Sequence, residues 1–279
     1  MNETRQEIRE RWSASALGWE RRADLLRRFT MPVSAWMVDA IAPQPGHTVL
    51  DLGAGPGDTG FMAAELIEPG GTLICSDVSP EMLTVAQRRA EASGLRNVRF
   101  RQIDAEAIDQ PAASLDAVLC RWGYMLMTDQ EAALRETRRV LRAGGRLALA
   151  AWAEPEANPW TTLAPRELIA RGRMEPPDPD APGQFAWRRR ETIAERLDAA
   201  GFVEYEIEAL DFEIRYPSVR EWWDAGQDFA VRLRQAAATL TEQETDEVLA
   251  ALADAAAPWT ADDGSLAMPA RTWVAAASV

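Results

Sequence analysis

The sequence predicts an α/β protein, a mostly parallel sheet with helices on both faces, preceded by a helical arm and interrupted late in the chain by helical insertions. Three observations carry this. Short runs of apolar and β-branched residues recur with amphipathic stretches between them, the pattern of parallel strands joined by crossover helices. The first run, Thr48 to Leu52, passes directly into the glycine turn GAGPG at 53–57, and a helix is expected from Thr59 to Glu68. Hydrophobic residues make up 47% and charged residues 27% of the 279, an ordinary globular composition on a chain long enough for a sizeable core.

In order, residues 1–42 read as a helical arm. Ile8, Trp12, Leu17, Trp19, Leu25, Leu26 and Phe29 form apolar stripes between arginines, and Pro32 opens a second helix that runs to Ile41 and stops before Pro43 and Pro45-Gly46. The core spans 47–152. Gly70-Gly71 launches strand two, Thr72 to Ser76, which closes on Asp77; Ser79 caps the next helix, Pro80 takes its first position and Gly94 ends it. Strand three, Asn97 to Ile103, alternates Val98 and Phe100 with Arg99 and Arg101, as a half-exposed edge strand does. Strand four, Leu115 to Cys120, leads into RWGYMLMTD; Asp129 starts a helix ended by Gly144-Gly145, and strand five is Arg146 to Trp152.

Between 154 and 190 lie seven of the 17 prolines, flanking one short helix, Trp160 to Ala170, so this piece is an insertion. A helix from Thr192 to Ala200, a stop at Gly201 and strand six, Phe202 to Leu210, follow. A second insertion, 217–269, carries Trp222 and Trp223 on one helix and, behind a Thr241/Glu244 capping box, another to Ala256; strand seven is Arg271 to Ala277. The first insertion is too short for a domain of its own, and 1–279 is expected to be one domain.

Composition excludes several classes of function. The sequence contains no lysine, so all 30 basic residues are arginine, which removes Schiff-base chemistry and the P-loop lysine. A net charge of −14 disfavours a nucleic acid partner, and no apolar run approaches the roughly 18 residues of a membrane span. The charged start MNETRQEIRER does not suit a signal peptide, and a cytoplasmic protein is expected. Cys75 and Cys120 fall on strands two and four with strand one between them. That is about 10 Å at a strand spacing of about 4.8 Å, beyond the roughly 7 Å a disulfide spans, so free thiols are expected. The one histidine, His47, stands far in sequence from any acid or cysteine cluster, and no metal site is expected. The partner is expected to be a small molecule; a homodimer stays open.

At Gly53 and Gly55 the missing Cβ allows positive φ and close approach of a ligand, and free N–H groups of the following helix face the same spot. A dinucleotide fingerprint would place its third glycine at 58, where Asp58 stands, so the pattern is GxGxG. Asp77, at the tip of strand two, can accept both hydroxyls of a ribose, a device that nicotinamide enzymes share.

DLGAGPG resembles the first motif of class I, Rossmann-like, S-adenosylmethionine-dependent methyltransferases. ALGWERR with MPVSAWMVDAI, and LRETRRVLRAGGRLALAAW with NPW after it, resemble the UbiE-like small-molecule group within them. The resemblance implies a seven-stranded sheet with its last strand antiparallel, and S-adenosylmethionine as methyl donor with S-adenosylhomocysteine as product. It implies Asp51, Gly53, Gly55 and Gly57 at the donor, Asp77 on its ribose, Val78 and Met82 beside its adenine, and Asp104 and Ala105 on the adenine edge. It puts the Arg121 backbone near the donor's amino group and folds the arm, with Trp19, over its methionine end.

For the acceptor, Trp12, Trp122, Trp152, Trp222 and Trp223 fall in pieces expected to surround the pocket, although packing accounts for several of them equally well. Indole faces suit a flat aromatic or cationic ligand. No histidine lies near the strand tips, so Tyr124, a carboxylate or water is left as general base. The expected reaction is C- or O-methylation of a small aromatic or apolar molecule. N-methylation of a small amine, a donor-binding relative that does not methylate, and a pure binding module remain as alternatives.

Overall fold

The structure is a computed structural model that describes residues 5–178 and 181–279. The first four residues of the charged N-terminal stretch and the proline at 179 lie outside the described residues. Two helices precede the sheet, α1 (Arg5–Arg21) and α2 (Ala23–Ala40). Pro32 lies inside α2 and does not begin it. Leu26, Phe29, Val33 and Met37 recur at helical spacing and are all buried, and their packing outweighs the cost of an interior proline, about 3 kcal/mol.

The core follows as β1 (Thr48–Leu52), α3 (Asp58–Leu66), β2 (Thr72–Asp77), α4 (Pro80–Ala92), β3 (Val98–Gln102), β4 (Leu115–Arg121), α5 (Gln130–Val140) and β5 (Leu141–Trp152). The remainder is α6 (Pro159–Ala170), α7 (Arg190–Ala200), β6 (Val203–Tyr216), α8 (Val219–Phe229), α9 (Val231–Ala237), α10 (Glu242–Ala256) and β7 (Leu266–Ser278). The strands form one sheet in the order β3-β2-β1-β4-β5-β7-β6. β7 runs antiparallel to both its neighbours, and the other pairs are parallel.

β6 runs six residues past its expected end at Leu210. Asp211, Glu213 and Arg215 interrupt its hydrophobicity, but Ile214 and Tyr216 keep the two-residue period and are buried. β7 begins at Leu266, before Arg271, because its ladder with β6 continues to the Tyr216–Leu266 pair beyond the Trp152–Thr272 pair that ends its contact with β5; Pro269 is tolerated there because β7 has only β6 as a neighbour at that point.

Alternate residues of the central strands feed two cores. Leu50, Leu52, Val118, Cys120, Leu147 and Leu149 pack with α5, α7 and the insertion helices. Val49, Leu73, Cys75, Ala117, Leu119 and Ala148 pack with α2 and α3. Cys75 and Cys120 therefore stand on opposite faces as well as on strands separated by β1, and both are free. Among the described residues no helix is long and apolar enough to cross a membrane.

Candidate active site

The sheet order reverses between β1 and β4, and there, at the carboxyl ends of the strands, lies a cleft with about 1070 Å³ of empty volume, part of it open to solvent. Its floor is the turn after β1. Gly53 and Gly55 have φ of +66° and +53°, and a Cβ on either would meet nothing within 4 Å. The positive φ is what favours glycine at these two places, and the space above the turn stays open. Gly57 has another job. It is the residue before α3, and a Cβ there would lie 2.3 Å from the Phe61 ring, so it seats that ring and does not line the cleft as expected.

Four carboxylates line the cleft, Asp51 and Asp77 at the tips of β1 and β2 and Asp104 and Glu106 after β3. Asp77 is buried; its Oδ2 accepts from the Gly55 N–H at 3.0 Å and its Oδ1 from the Ser79 N–H at 2.9 Å, which ties the glycine turn to β2. Burial pushes its carboxyl up and the backbone N–H groups oppose the change. Val78 and Met82 line the cleft beside it, and the Ser79 hydroxyl accepts from the Met82 N–H at the start of α4. Just past β3, Asp104 Oδ1 accepts from the Glu106 N–H at 2.9 Å and Oδ2 from Arg5 at 3.3 Å. Arg5 also pairs with Glu106, so α1 is laced across the end of β3, with Ala105 beneath it in the cleft wall.

Asp51 is 2% exposed, and its Oδ2 accepts from the Gly60 N–H at 2.8 Å. A Cβ on Gly60 would sit 2.6 Å from that oxygen, so this glycine, absent from the sequence reading, is what lets the carboxylate lie under the first turn of α3. Burial pushes the Asp51 carboxyl up to about 7, against the pull of Arg121 and the Gly60 N–H.

At the tip of β4, Arg121 Nη1 donates to Ser34 Oγ at 3.1 Å, and Ser34 in turn shares a hydrogen bond with Thr59. Its guanidinium lies 5.0 Å from the centre of the Trp122 ring. Burial pulls the Arg121 guanidinium below its usual value, and Asp58 and Asp51 offset this. Trp122 has φ of +58°, a left-handed conformation that costs a bulky residue about 1–3 kcal/mol. Three contacts hold it there: its N–H donates to Ala150 O, its indole N–H to Thr272 Oγ1 at 2.9 Å, and its ring stacks on Trp152 at 4.1 Å.

α1 forms the roof, where Ile8, Trp12 and Trp19 face the cleft and the two indoles meet edge to face at 5.9 Å. Of the expected acceptor residues, Trp12 and Trp122 line the cleft. Trp152 stands behind Trp122, 4% exposed, and supports it from the core. Trp222 and Trp223 are each 2% exposed; they pack inward from α8, and the Trp222 indole N–H donates to Trp160 O at 2.7 Å.

Tyr124 is also corrected. The short helical turn after β4 carries it into the core, where its hydroxyl bonds Thr137 at 2.6 Å and its ring stacks on Trp187. Burial raises its hydroxyl well above the ordinary tyrosine value, the opposite of what a base needs. The cleft wall after β4 is instead Leu126, Met127 and Thr128, for which sequence carried no signal beyond their place after a strand. Among the described residues no cluster of histidine, cysteine and acids could hold a metal ion.

A family model described as a methyltransferase domain matches residues 49–145. The ubiquinone/menaquinone biosynthesis C-methyltransferase UbiE of Cellvibrio japonicus is 31% identical over 193 residues, 66% of this chain and 75% of the relative. Nocamycin O-methyltransferase of Saccharothrix syringae is 31% identical over 199 residues, 68% and 71% of the two chains. Among solved structures, the YcgJ protein of Bacillus subtilis superposes with a TM-score of 0.57 at 24% identity, over 88% of this chain and 97% of that one, a likeness of fold. The chain belongs to the class I S-adenosylmethionine-dependent methyltransferases, in the UbiE-like group, and is an enzyme that transfers a methyl group from that donor to a small molecule.

Proposed function

We propose that the enzyme methylates a flat, apolar acceptor, an electron-rich aromatic carbon or a hydroxyl on such a ring, in the cleft between the arm and the strand tips. The observation that carries this reading is the lining: Ile8, Trp12 and Trp19 above, and Trp122, Leu126 and Met127 beside the strand tips, give a mainly apolar and aromatic surface, with Arg5, Thr59, Glu106 and Thr128 as further polar side chains of the cleft. Two relatives agree with it, one a C-methyltransferase of ubiquinone and menaquinone biosynthesis and the other nocamycin O-methyltransferase.

The residues fit the donor. A carboxylate has about four acceptor positions, and the two backbone N–H groups on Asp77 leave others for the ribose hydroxyls. Gly53 and Gly55 leave open space for the sugar and sulfur to lie on the backbone. Asp104 and Ala105 would take the adenine edge, with Val78 and Met82, which line the same cleft, against the ring. When bound, the donor supplies an electrophilic methyl group on its sulfonium.

Everything else is positioning and exclusion of water. The roof of α1 covers part of the cleft, and Trp122, held against Trp152 and Thr272, gives the acceptor a rigid wall. Holding the reactants in line is worth on the order of 7–11 kcal/mol of barrier, and the proton that the acceptor carbon or hydroxyl loses on methylation passes to water or a cleft carboxylate, since Tyr124 is buried in the core. The arm, the core and both insertions act in this reading as one methyltransferase unit, working in a reducing cytoplasm with both thiols free, and nucleic acid is not an acceptor.

The test is turnover of labelled donor against a panel of quinols, indoles, phenols, small amines and aliphatic acids. Methylation of the aromatic members is expected. Methylation of only the aliphatic acids or only the amines would overturn the acceptor class, and retention of donor without turnover on any acceptor would make the protein a binding module.

A further inference from the structure

Along the sheet edge the cleft residues fall in strand order: Asp104 after β3, Asp77 on β2, the Gly53–Gly55 turn after β1, and Arg121 on β4. Three strand spacings of about 4.8 Å separate the ends of this row, roughly 14 Å, a length that suits an adenosyl group followed by an amino acid. With the two acids on base and sugar, as proposed above, the amino-acid end would reach β4.

At that end stands a cation without a partner carboxylate. Among the described residues the Arg121 side chain makes one hydrogen bond, to the neutral hydroxyl of Ser34, and no ion pair. The two acids nearest in charge favour the guanidinium from a distance but neither pairs with it: Asp51 Oδ2 accepts from the Gly60 N–H, Asp58 Oδ1 accepts from Arg89 at 2.6 Å, and Asp58 Oδ2 makes no hydrogen bond. The guanidinium is nonetheless held in place, by Ser34 on one side and by the face of Trp122 on the other, and it lines the cleft. A charge drawn out of water stabilises the protein only when an anion meets it, and the planar fork of a guanidinium matches a carboxylate.

We propose that the Arg121 side chain binds the α-carboxylate of the methyl donor and so fixes the sulfonium at the gap between β1 and β4. Arg121 is then a positioning residue, acting through its side chain as well as through the backbone contact that the family resemblance implies. The proposal rests on the reading of the cleft as the donor site.

The test compares two ligands by calorimetry. S-adenosylhomocysteine carries the amino-acid end, and 5′-methylthioadenosine has the same nucleoside and sulfur without it. Arg121→Met is expected to weaken S-adenosylhomocysteine at least about tenfold and 5′-methylthioadenosine less than about threefold, with Arg121→Lys between wild type and Met for the first ligand only. Equal losses for both ligands, or none for S-adenosylhomocysteine, would overturn the proposal.

Should the Met variant not fold, the unaltered enzyme gives the answer through the α-carboxamide of S-adenosylhomocysteine. That neutral ligand is expected to bind at least about tenfold more weakly than the acid, and equal affinity refutes the assignment. Failure of the wild-type protein to bind any of these ligands would reject the donor-site reading itself, an outcome distinct from the others.

Discussion

Replacing Asp51 with asparagine should stabilise the empty enzyme in a pH-dependent way while weakening its hold on the donor. The buried carboxyl is raised from 3.8 to about 7, and at about 1.4 kcal/mol per pH unit this is on the order of 4 kcal/mol. The sign follows from where the proton sits. Between about pH 4 and pH 7 the folded chain keeps a proton on Asp51 that the unfolded chain has released, so stability falls as the pH rises through that window. Above about pH 7 the full cost of a buried, ionised carboxylate is present.

Asparagine carries no charge and keeps an oxygen to accept the Gly60 N–H, so it escapes that cost. Urea unfolding without ligand, followed by tryptophan fluorescence, should give the variant an advantage of only about 1 kcal/mol at about pH 4.5. That advantage should then grow towards about 4 kcal/mol at about pH 8.5. Donor affinity should change the opposite way, because the cationic sulfonium and ammonium lose a negative neighbour. A stability difference independent of pH, or a variant less stable throughout, would refute the reasoning about Asp51.

Asp77→Ala should weaken S-adenosylhomocysteine by more than about 1.5 kcal/mol in calorimetry, as charge-assisted hydrogen bonds are lost; unchanged affinity would count against its place on the ribose. Tyr124→Phe removes only a hydrogen bond to Thr137, whose hydroxyl still donates to Ala133 O, so about 1 kcal/mol of stability should go and turnover should stay within about twofold. A loss of tenfold or more in turnover would return Tyr124 to the chemistry. The glycines of the turn should separate. Gly57→Ala should lower stability by about 2 kcal/mol or more through its clash with Phe61, whereas Gly53→Ala should cost about 1–2 kcal/mol of stability and, in addition, affinity for the donor.

Where backbone topology decides a position, the sequence was sufficient. The period of the strands and the glycine turn after Leu52 bring the ends of β1, β2 and β3 together, and with them Asp51, Asp77 and Asp104, although the three are spread over more than fifty residues. Where a side chain's direction decides, it was not. Tyr124 and Trp122 are two residues apart after the same strand, yet one turns into the core and the other stays at the cleft, because a left-handed backbone at Trp122 and a helical turn after Gly123 re-aim the chain.

Trp222 and Trp223 were expected near the acceptor because they are aromatic and lie in an insertion. Large indoles bury well, and α8 turns both inward. The link between Asp51 and Gly60 was legible only in part, since nothing in a nine-residue spacing says that the helix must start above the carboxylate. Pro32 and the charged half of β6 misled for one reason: packing over a whole helix or strand outweighs one unfavourable residue within it.

The most direct measurement is a crystal structure of the enzyme with S-adenosylhomocysteine. Both ribose hydroxyls should lie about 3 Å from the Asp77 carboxylate and the adenine amino group should face Asp104, with the nucleoside resting on Gly53 and Gly55 beneath Trp12 and Trp19. A nucleoside found outside this cleft, or in it with Asp77 and Asp104 turned away from the sugar and the base, would contradict the assignment of the site.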